Sequence, residues 1–154
     1  MYNFNNLYEP TTVEEALRLK KEHPQALWLA GGSDILIKIR EGKLAGCDLI
    51  NIYCLDELRG ICLEDDGSIL IRPLTSFTDV SMHPVIKQHV PVLGEAVDQI
   101  GGPQVRNIGT IGGNICNGVT SADSATTLKA YDAVLEIASL DGIRLLPYAE
   151  FNLG

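Results

Sequence analysis

The stretch "GGPQVRNIGTIGGNICNG", Gly101–Gly118, holds six of the chain's fifteen glycines and a single charged residue, Arg106. Glycine inside a helix or strand costs about 0.5–1 kcal/mol relative to alanine. So many together predict a backbone that turns sharply or comes very close to something. A second glycine pair stands at "LAGGSD", Leu29–Asp34, where an apolar run gives way to a predicted helix. At such a junction, amides with no intrahelical partner point outward, and the aligned peptide dipoles add partial positive charge. Small residues admit a phosphate there, and Ser33 adds a hydroxyl donor. "TIGGN", Thr110–Asn114, offers the same chemistry, its consecutive amides flanked by the Thr110 hydroxyl and the Asn114 side chain. One such loop suffices for one phosphate, and two for a diphosphate. Taken singly, each pair also fits a plain tight turn or helix end. Neither is GxGxxG, and nothing matches GxxxxGK followed by Ser or Thr, so neither a Rossmann nor a P-loop nucleotide site is supported.

The 154 residues are 45% hydrophobic and 21% charged, ordinary for one or two small globular units. Twelve basic against twenty acidic residues give a formal net charge of -8. That argues against nucleic acid or an anionic membrane surface as the main partner, since both need clustered basic residues. No run of eighteen apolar residues exists, and "MYNFNNLYEPTTVEE" lacks the basic start and apolar stretch of a secretory signal. A cytoplasmic, membrane-free protein is expected. Cys47, Cys54, Cys62 and Cys116 match neither metal knuckles nor a disulfide framework, and His23, His83 and His89 are scattered. Reduced thiols and no metal site are the expectation.

Along the chain, "TTVEEALRLKKEH" reads as an amphipathic helix opened by a capping box of Thr11 and Glu14. "ALWLA" (26–30) and "DLINIY" (48–53) read as buried strands, with "ILIKIREG" as a helix between them. Strands alternating with helices in the first fifty-five residues predict a small α/β unit with parallel pairing. "ICLEDDGSILIRPL" then reads as a hairpin turning at Asp66-Gly67, and "AVLEIASLDGIRLLPY" as another turning at Asp141-Gly142. Between them, "SFTDVSMHP" and "VPVLGEAVDQIG" look helical, with Pro84 and Pro91 breaking the stretch that separates them. A further helix is predicted from Asp123 to Tyr131. The predicted division is a small α/β subdomain over 1–56 and an antiparallel α+β subdomain over 57–154, with the boundary near Leu55–Gly60.

"LAGGSDILI" and "GGPQVRNIGTIGGNICNGVTSADSAT" together resemble the two signature segments of the FAD-binding subunit of molybdenum hydroxylases, the family of xanthine dehydrogenase and carbon monoxide dehydrogenase. The spacing of the segments fits, as do "YEPTTVEEAL" and the strand after "SADSA", so the likeness runs along essentially the whole chain. "GGNICNGVTSADSA" most resembles bacterial xanthine dehydrogenase flavin subunits. One departure is "ATT" after the aspartate, where many members have proline.

The resemblance implies an α+β fold of the two-subdomain FAD-binding type shared with vanillyl-alcohol oxidase-like flavoenzymes. It implies that Trp28, Leu29, Ala30, Gly31, Gly32, Ser33, Asp34 and Ile35 wrap the FAD diphosphate and adjoining ribityl. Thr110, Ile111, Gly112, Gly113 and Asn114 would hold its other side, and Asp123 its polyol region. From the residues alone, Asp123 is equally an N-cap, Arg106 a brace for its loop through backbone carbonyls, and Cys116 a small packing residue. No residue is expected to act as a catalytic acid or base. The family's chemistry implies an iron–sulfur subunit and a molybdenum-cofactor subunit as partners in purine catabolism. FAD would pass electrons from the clusters to NAD. The alternatives are the flavin subunit of a related hydroxylase, acting on nicotinate, an aromatic thioester or carbon monoxide, and a truncated, FAD-free assembly module. Family subunits continue well past this length, so an FAD-binding domain incomplete at its C-terminal end is expected.

Overall fold

The computed structural model describes residues 2–118 and 123–151, with Asp123 described in its backbone only. The chain divides after Leu58 into two compact units, Met1–Leu58 and Arg59–Gly154.

The first unit is a three-stranded parallel sheet with two helical crossovers. Its strands are β1 (Phe4–Tyr8), β2 (Leu27–Leu29) and β3 (Cys47–Asn51), in the order β1-β3-β2. The helices α1 (Val13–Glu22) and α2 (Ile35–Arg40) connect them, as parallel pairing requires. Leu49 and Ile50 of the central strand are buried, together with Ala16, Ala26, Ile39 and Leu55. A register shift between Phe4 and Leu7 bends β1, and the side-chain amides of Asn5 and Asn6 tie it to Gly46 O and Asp48 Oδ1 at 2.6 and 2.8 Å.

The capping box of α1 lies one residue later than expected. Thr12 is the N-cap and accepts from Glu15 N at 3.1 Å, while the Glu15 carboxylate turns back to Thr11 N at 2.7 Å and Thr11 Oγ1 at 2.9 Å. "TTVEE" offers two overlapping boxes. The later one prevails because it leaves Thr11 able to donate twice to the same carboxylate.

The second unit begins with the hairpin of β4 (Ile61–Leu63) and β5 (Ile69–Ile71). Its turn has Gly67 at φ +85 and Ser68 N donating to Asp66 Oδ1 at 2.9 Å. Among the described residues six helices follow: α3 (Phe77–Met82), α4 (Pro84–His89), α5 (Pro91–Asp98), α6 (Pro103–Ile108), α7 (Ile111–Asn117) and α8 (Asp123–Ala130). The antiparallel pair β6 (Val134–Ser139) and β7 (Gly142–Pro147) comes last. Phe77, Val80, Ile86, Leu93, Val97, Ile111, Ala125, Leu128 and Tyr148 form one core.

Three expectations change here. Pro84 and Pro91 do divide the helices, α3 ending before the one and α4 before the other, but the stretch between them is itself helical. Each begins a helix at its first position, where a missing N–H is no loss. The β6–β7 pairing brings Ser139 opposite Gly142, so Leu140 and Asp141 form the turn, and Gly142 is the first strand residue, at φ +128. The glycine-rich stretch is not open loop but two short helices, α6 and α7.

Candidate functional site

Two glycine pairs identical in composition meet different fates. In the first unit, Leu29 ends β2 opposite Asn51, and its carbonyl accepts from Ile52 N at 3.0 Å. The chain then leaves the sheet at the carboxyl end of a parallel strand, where ligands of such sheets are received. Gly32 adopts φ +74, a left-handed conformation that non-glycine residues rarely take. Its carbonyl starts α2 by accepting from Leu36 N at 3.2 Å, and the Asp34 carbonyl accepts from Ile37 N and Lys38 N. A Cβ built on Gly32 would lie 2.8 Å from Leu36 Cδ1.

None of the backbone amides of Gly31, Gly32, Ser33, Asp34 and Ile35 has an acceptor among the described residues. Five consecutive donors and the half-buried Ser33 hydroxyl thus remain for a ligand. Asp34 is the N-cap residue of α2, but its side chain caps no amide. Its carboxylate instead pairs with Lys38 Nζ at 2.6 Å, one turn on, so its negative charge is offset beside the donor row. Trp28 is 39% exposed, with Lys20 Nζ 5.9 Å from its ring centroid. Lys20 is itself held by the carbonyls of Pro24 and Ala26 at 2.9 and 2.6 Å. Of the predicted stretch Trp28–Ile35, the amides from Gly31 onward are thus the ones left without an acceptor among the described residues.

The N-terminus of α1, in the same unit, offers no such row. Glu15 N is taken by Thr12 and Val13 N by Glu57 Oε1 at 2.8 Å.

In the second unit the four leading amides of α7 are all engaged. Ile111 N donates to Thr75 O at 3.0 Å, Gly112 N to Pro73 O at 2.9 Å, Gly113 N to Thr110 Oγ1 at 3.2 Å and Asn114 N to Thr110 O at 3.0 Å. Ile111 is 3% exposed and belongs to the core. A Cβ on Gly112 would stand 2.6 Å from Pro73 Cβ and 2.8 Å from Pro73 O, and one on Gly109 2.7 Å from Phe77 Cε2. These glycines do permit close approach, and what approaches is the protein itself. The anion-binding row of amides expected at Thr110–Asn114 is therefore absent from this segment.

What α7 presents instead is the exposed backbone of Gly113 and the side chain of Asn114. Asn114 Oδ1 accepts from Ser124 Oγ, a fully buried hydroxyl of α8, at 2.5 Å. The side-chain NH2 of Asn114 has no acceptor among the described residues. Asp123 is the first residue of α8 rather than a residue preceding the helix, and its side chain lies outside the described residues. Arg106 does brace its loop: its guanidinium donates to Ile100 O and Gly101 O at 3.3 and 2.8 Å and pairs with Asp98 at 3.3 Å. Cys116 is exposed. A cleft of about 540 Å³ in this unit, lined by Arg59, Ile61, Thr75, Asp79, Met82 and His83, includes none of the expected cofactor residues.

The sequence reading overlooked Ser124 and Lys38. Lys38 stands four residues after Asp34, a spacing that places the two on one helix face. Ser124 carries no comparable signal, because its partner lies across a helix boundary.

With this geometry in place, comparison with known proteins defines the class. Residues 2–154 match the family described as FAD binding domain in molybdopterin dehydrogenase, and the chain belongs to that family. It is 44% identical over all 154 residues to the xanthine dehydrogenase FAD-binding subunit of Escherichia coli O157:H7, of which it covers 53%. It is 36% identical over 147 residues to the nicotinate dehydrogenase FAD-subunit of Eubacterium barkeri, covering 94% of this chain and 49% of that one. Carbon monoxide dehydrogenase from Hydrogenophaga pseudoflava superposes with a TM-score of 0.95 at 32% identity, covering all of this chain and 54% of that one. The fold is thus the α+β type of molybdenum hydroxylase flavin subunits. The chain spans about half the length of the relatives it matches. No helix among the described residues is long and apolar enough to cross a membrane, and no group of His, Cys, Asp and Glu there is placed to hold a metal ion.

Proposed function

We propose that the chain binds FAD and serves as the flavin-carrying part of a molybdenum hydroxylase of xanthine dehydrogenase type. In that complex it would receive electrons from iron–sulfur clusters on a partner subunit and pass them to NAD, with the molybdenum cofactor on a third. The observation that carries this reading is the 44% identity over all 154 residues to an FAD-binding subunit of xanthine dehydrogenase. The donor row of the first unit supports it chemically.

The amides of Gly31–Ile35 and the Ser33 hydroxyl suit the diphosphate. Hydrogen bonds to a charged acceptor are worth about 1.5–3 kcal/mol each, so a few neutral donors hold a phosphate without a basic cluster. Gly32 keeps the row open by supplying the left-handed turn. Asn114 would donate to the cofactor through its side chain and Asp123 would accept from its hydroxyls, with Gly113 leaving room beside them. Thr110, Ile111 and Gly112 fix where Asn114 stands. FAD, when bound, supplies the exchange between single electrons and hydride. The protein's part is to bind and orient it.

The test is an absorbance spectrum of the purified full-length protein, followed by anaerobic addition of NADH. Flavin bands near one per chain that bleach with NADH support the reading. Absence of flavin after incubation with FAD, with a cooperative melt retained, favours the FAD-free assembly module. Flavin that NADH does not bleach leaves the cofactor and removes NAD as the acceptor.

A further inference from the structure

We infer that Ser124 is a positioning residue for the cofactor, acting through Asn114. The inference rests on the reading that the chain binds FAD and extends it to a residue with no expected contact with the cofactor. The first-turn amides of α7 are spent on Pro73, Thr75 and Thr110, so the donors this helix can still offer are those of the Asn114 side chain. A side-chain amide is useful as a donor only when its rotation is fixed, because a flip exchanges NH2 for a carbonyl oxygen. Ser124 fixes it. Its hydroxyl is 0% exposed, must place its proton inside the protein, and does so on Asn114 Oδ1 at 2.5 Å. The NH2 is thereby turned away from α8, with no acceptor among the described residues. The same bond ties α7 to the second residue of α8 and so sets the backbone of the adjacent Asp123.

Ser124→Ala removes the anchor and keeps the volume nearly unchanged. It is expected to weaken FAD binding by about three- to tenfold, the span of one modest hydrogen bond, as measured by flavin fluorescence titration of the full-length protein. Asn114→Ala should weaken it at least as much, and Ser124→Ala added to Asn114→Ala should bring no further loss, because the route through Asn114 is already gone. Ser124→Thr, which retains the hydroxyl, should restore affinity relative to Ser124→Ala. An FAD-free readout stands beside these. In the wild type the Asn114 side-chain NH2 should give a proton pair displaced from the values of a free asparagine amide, and in Ser124→Ala the pair should move toward those free values. Normal affinity in Ser124→Ala, or additive losses in the double variant, would overturn the inference. Should the wild type bind no FAD, both readings fall as statements about the cofactor, while the resonances still report whether Ser124 orients Asn114.

Discussion

Gly112 lies against Pro73, its N–H donating to the Pro73 carbonyl at 2.9 Å and its missing Cβ marking a point 2.6 Å from Pro73 Cβ. Its neighbour Gly113 is exposed on the same helix. Identical substitutions should therefore have opposite effects. Gly112→Ala pushes a methyl into backbone that cannot swing aside and should cost about 1–3 kcal/mol, the usual range for overpacking. Gly113→Ala relieves a helical glycine and should gain up to about 1 kcal/mol. Urea denaturation of both variants without FAD checks the sign. A shared sign would mean that Pro73 is not the constraint.

Gly32 and Gly113, the two glycines proposed to lie beside the cofactor, should separate binding from folding. Gly113 has helical backbone, so Gly113→Val meets no strain from a positive φ, and on the proposed reading its bulk would fall beside the cofactor. It should weaken FAD binding by about tenfold or more, about 1.4 kcal/mol, with the apo melt scarcely moved. Gly32→Val should harm both, since φ +74 excludes a β-branched residue and Leu36 Cδ1 stands 2.8 Å from its Cβ. Fluorescence titrations paired with thermal melts decide this. If Gly113→Val binds FAD as the wild type does, Gly113 is an ordinary helix residue.

The sequence patterns located elements well where they are clear, as in the one-sided apolar face of α1 and the apolar Leu49–Ile50 centre of β3. They failed where short-range chemistry offered near-equal choices. The overlapping boxes of "TTVEE" differ by one residue, and the "LDG" turn by one position. In the site the failure has another cause. Both glycine pairs read alike because composition does not say where amides point. What separates them is a long-range partner: Pro73 and Thr75, nearly forty residues upstream, satisfy Ile111 and Gly112, whereas nothing described does so for Gly31–Ile35. Asn114 was visible as a polar residue in a glycine stretch, but its orienting partner Ser124 was not, since only the folded pairing of α7 with α8 brings them together.

The start of α1 should respond to acid. Hydrogen bonds from Thr11 N–H, and next from the Thr11 hydroxyl, hold the Glu15 carboxyl below its ordinary range. A folded value below the unfolded one means that the charged form stabilises the fold. That contribution is complete above the ordinary carboxylate range and disappears as pH falls through the lowered folded value. Glu15→Gln should thus reduce the melting temperature at neutral pH, and the gap from wild type should close toward the acid end. Melts from neutral to acid pH measure it. A gap that stays constant would assign the loss to packing rather than charge.

Salt provides the test of how the diphosphate is held. If backbone amides and the Ser33 hydroxyl are its donors, no cation on the protein forms a direct pair with phosphate. The nearest basic group on the loop's own helix, Lys38, is already committed to Asp34 at 2.6 Å. Screening acts on charge pairs, with a Debye length that shortens from about 30 Å at 0.01 M to about 10 Å at 0.1 M. FAD affinity should therefore change by less than about tenfold between those salt concentrations, within about 1.4 kcal/mol. Asp34→Asn should sharpen the result. With its carboxylate gone, one negative charge no longer stands beside the donor row, so affinity at low salt should rise and the gain should shrink as salt screens it. A wild type that already loses affinity steeply with salt would mean that lysine or arginine, not the amide row, carries the diphosphate.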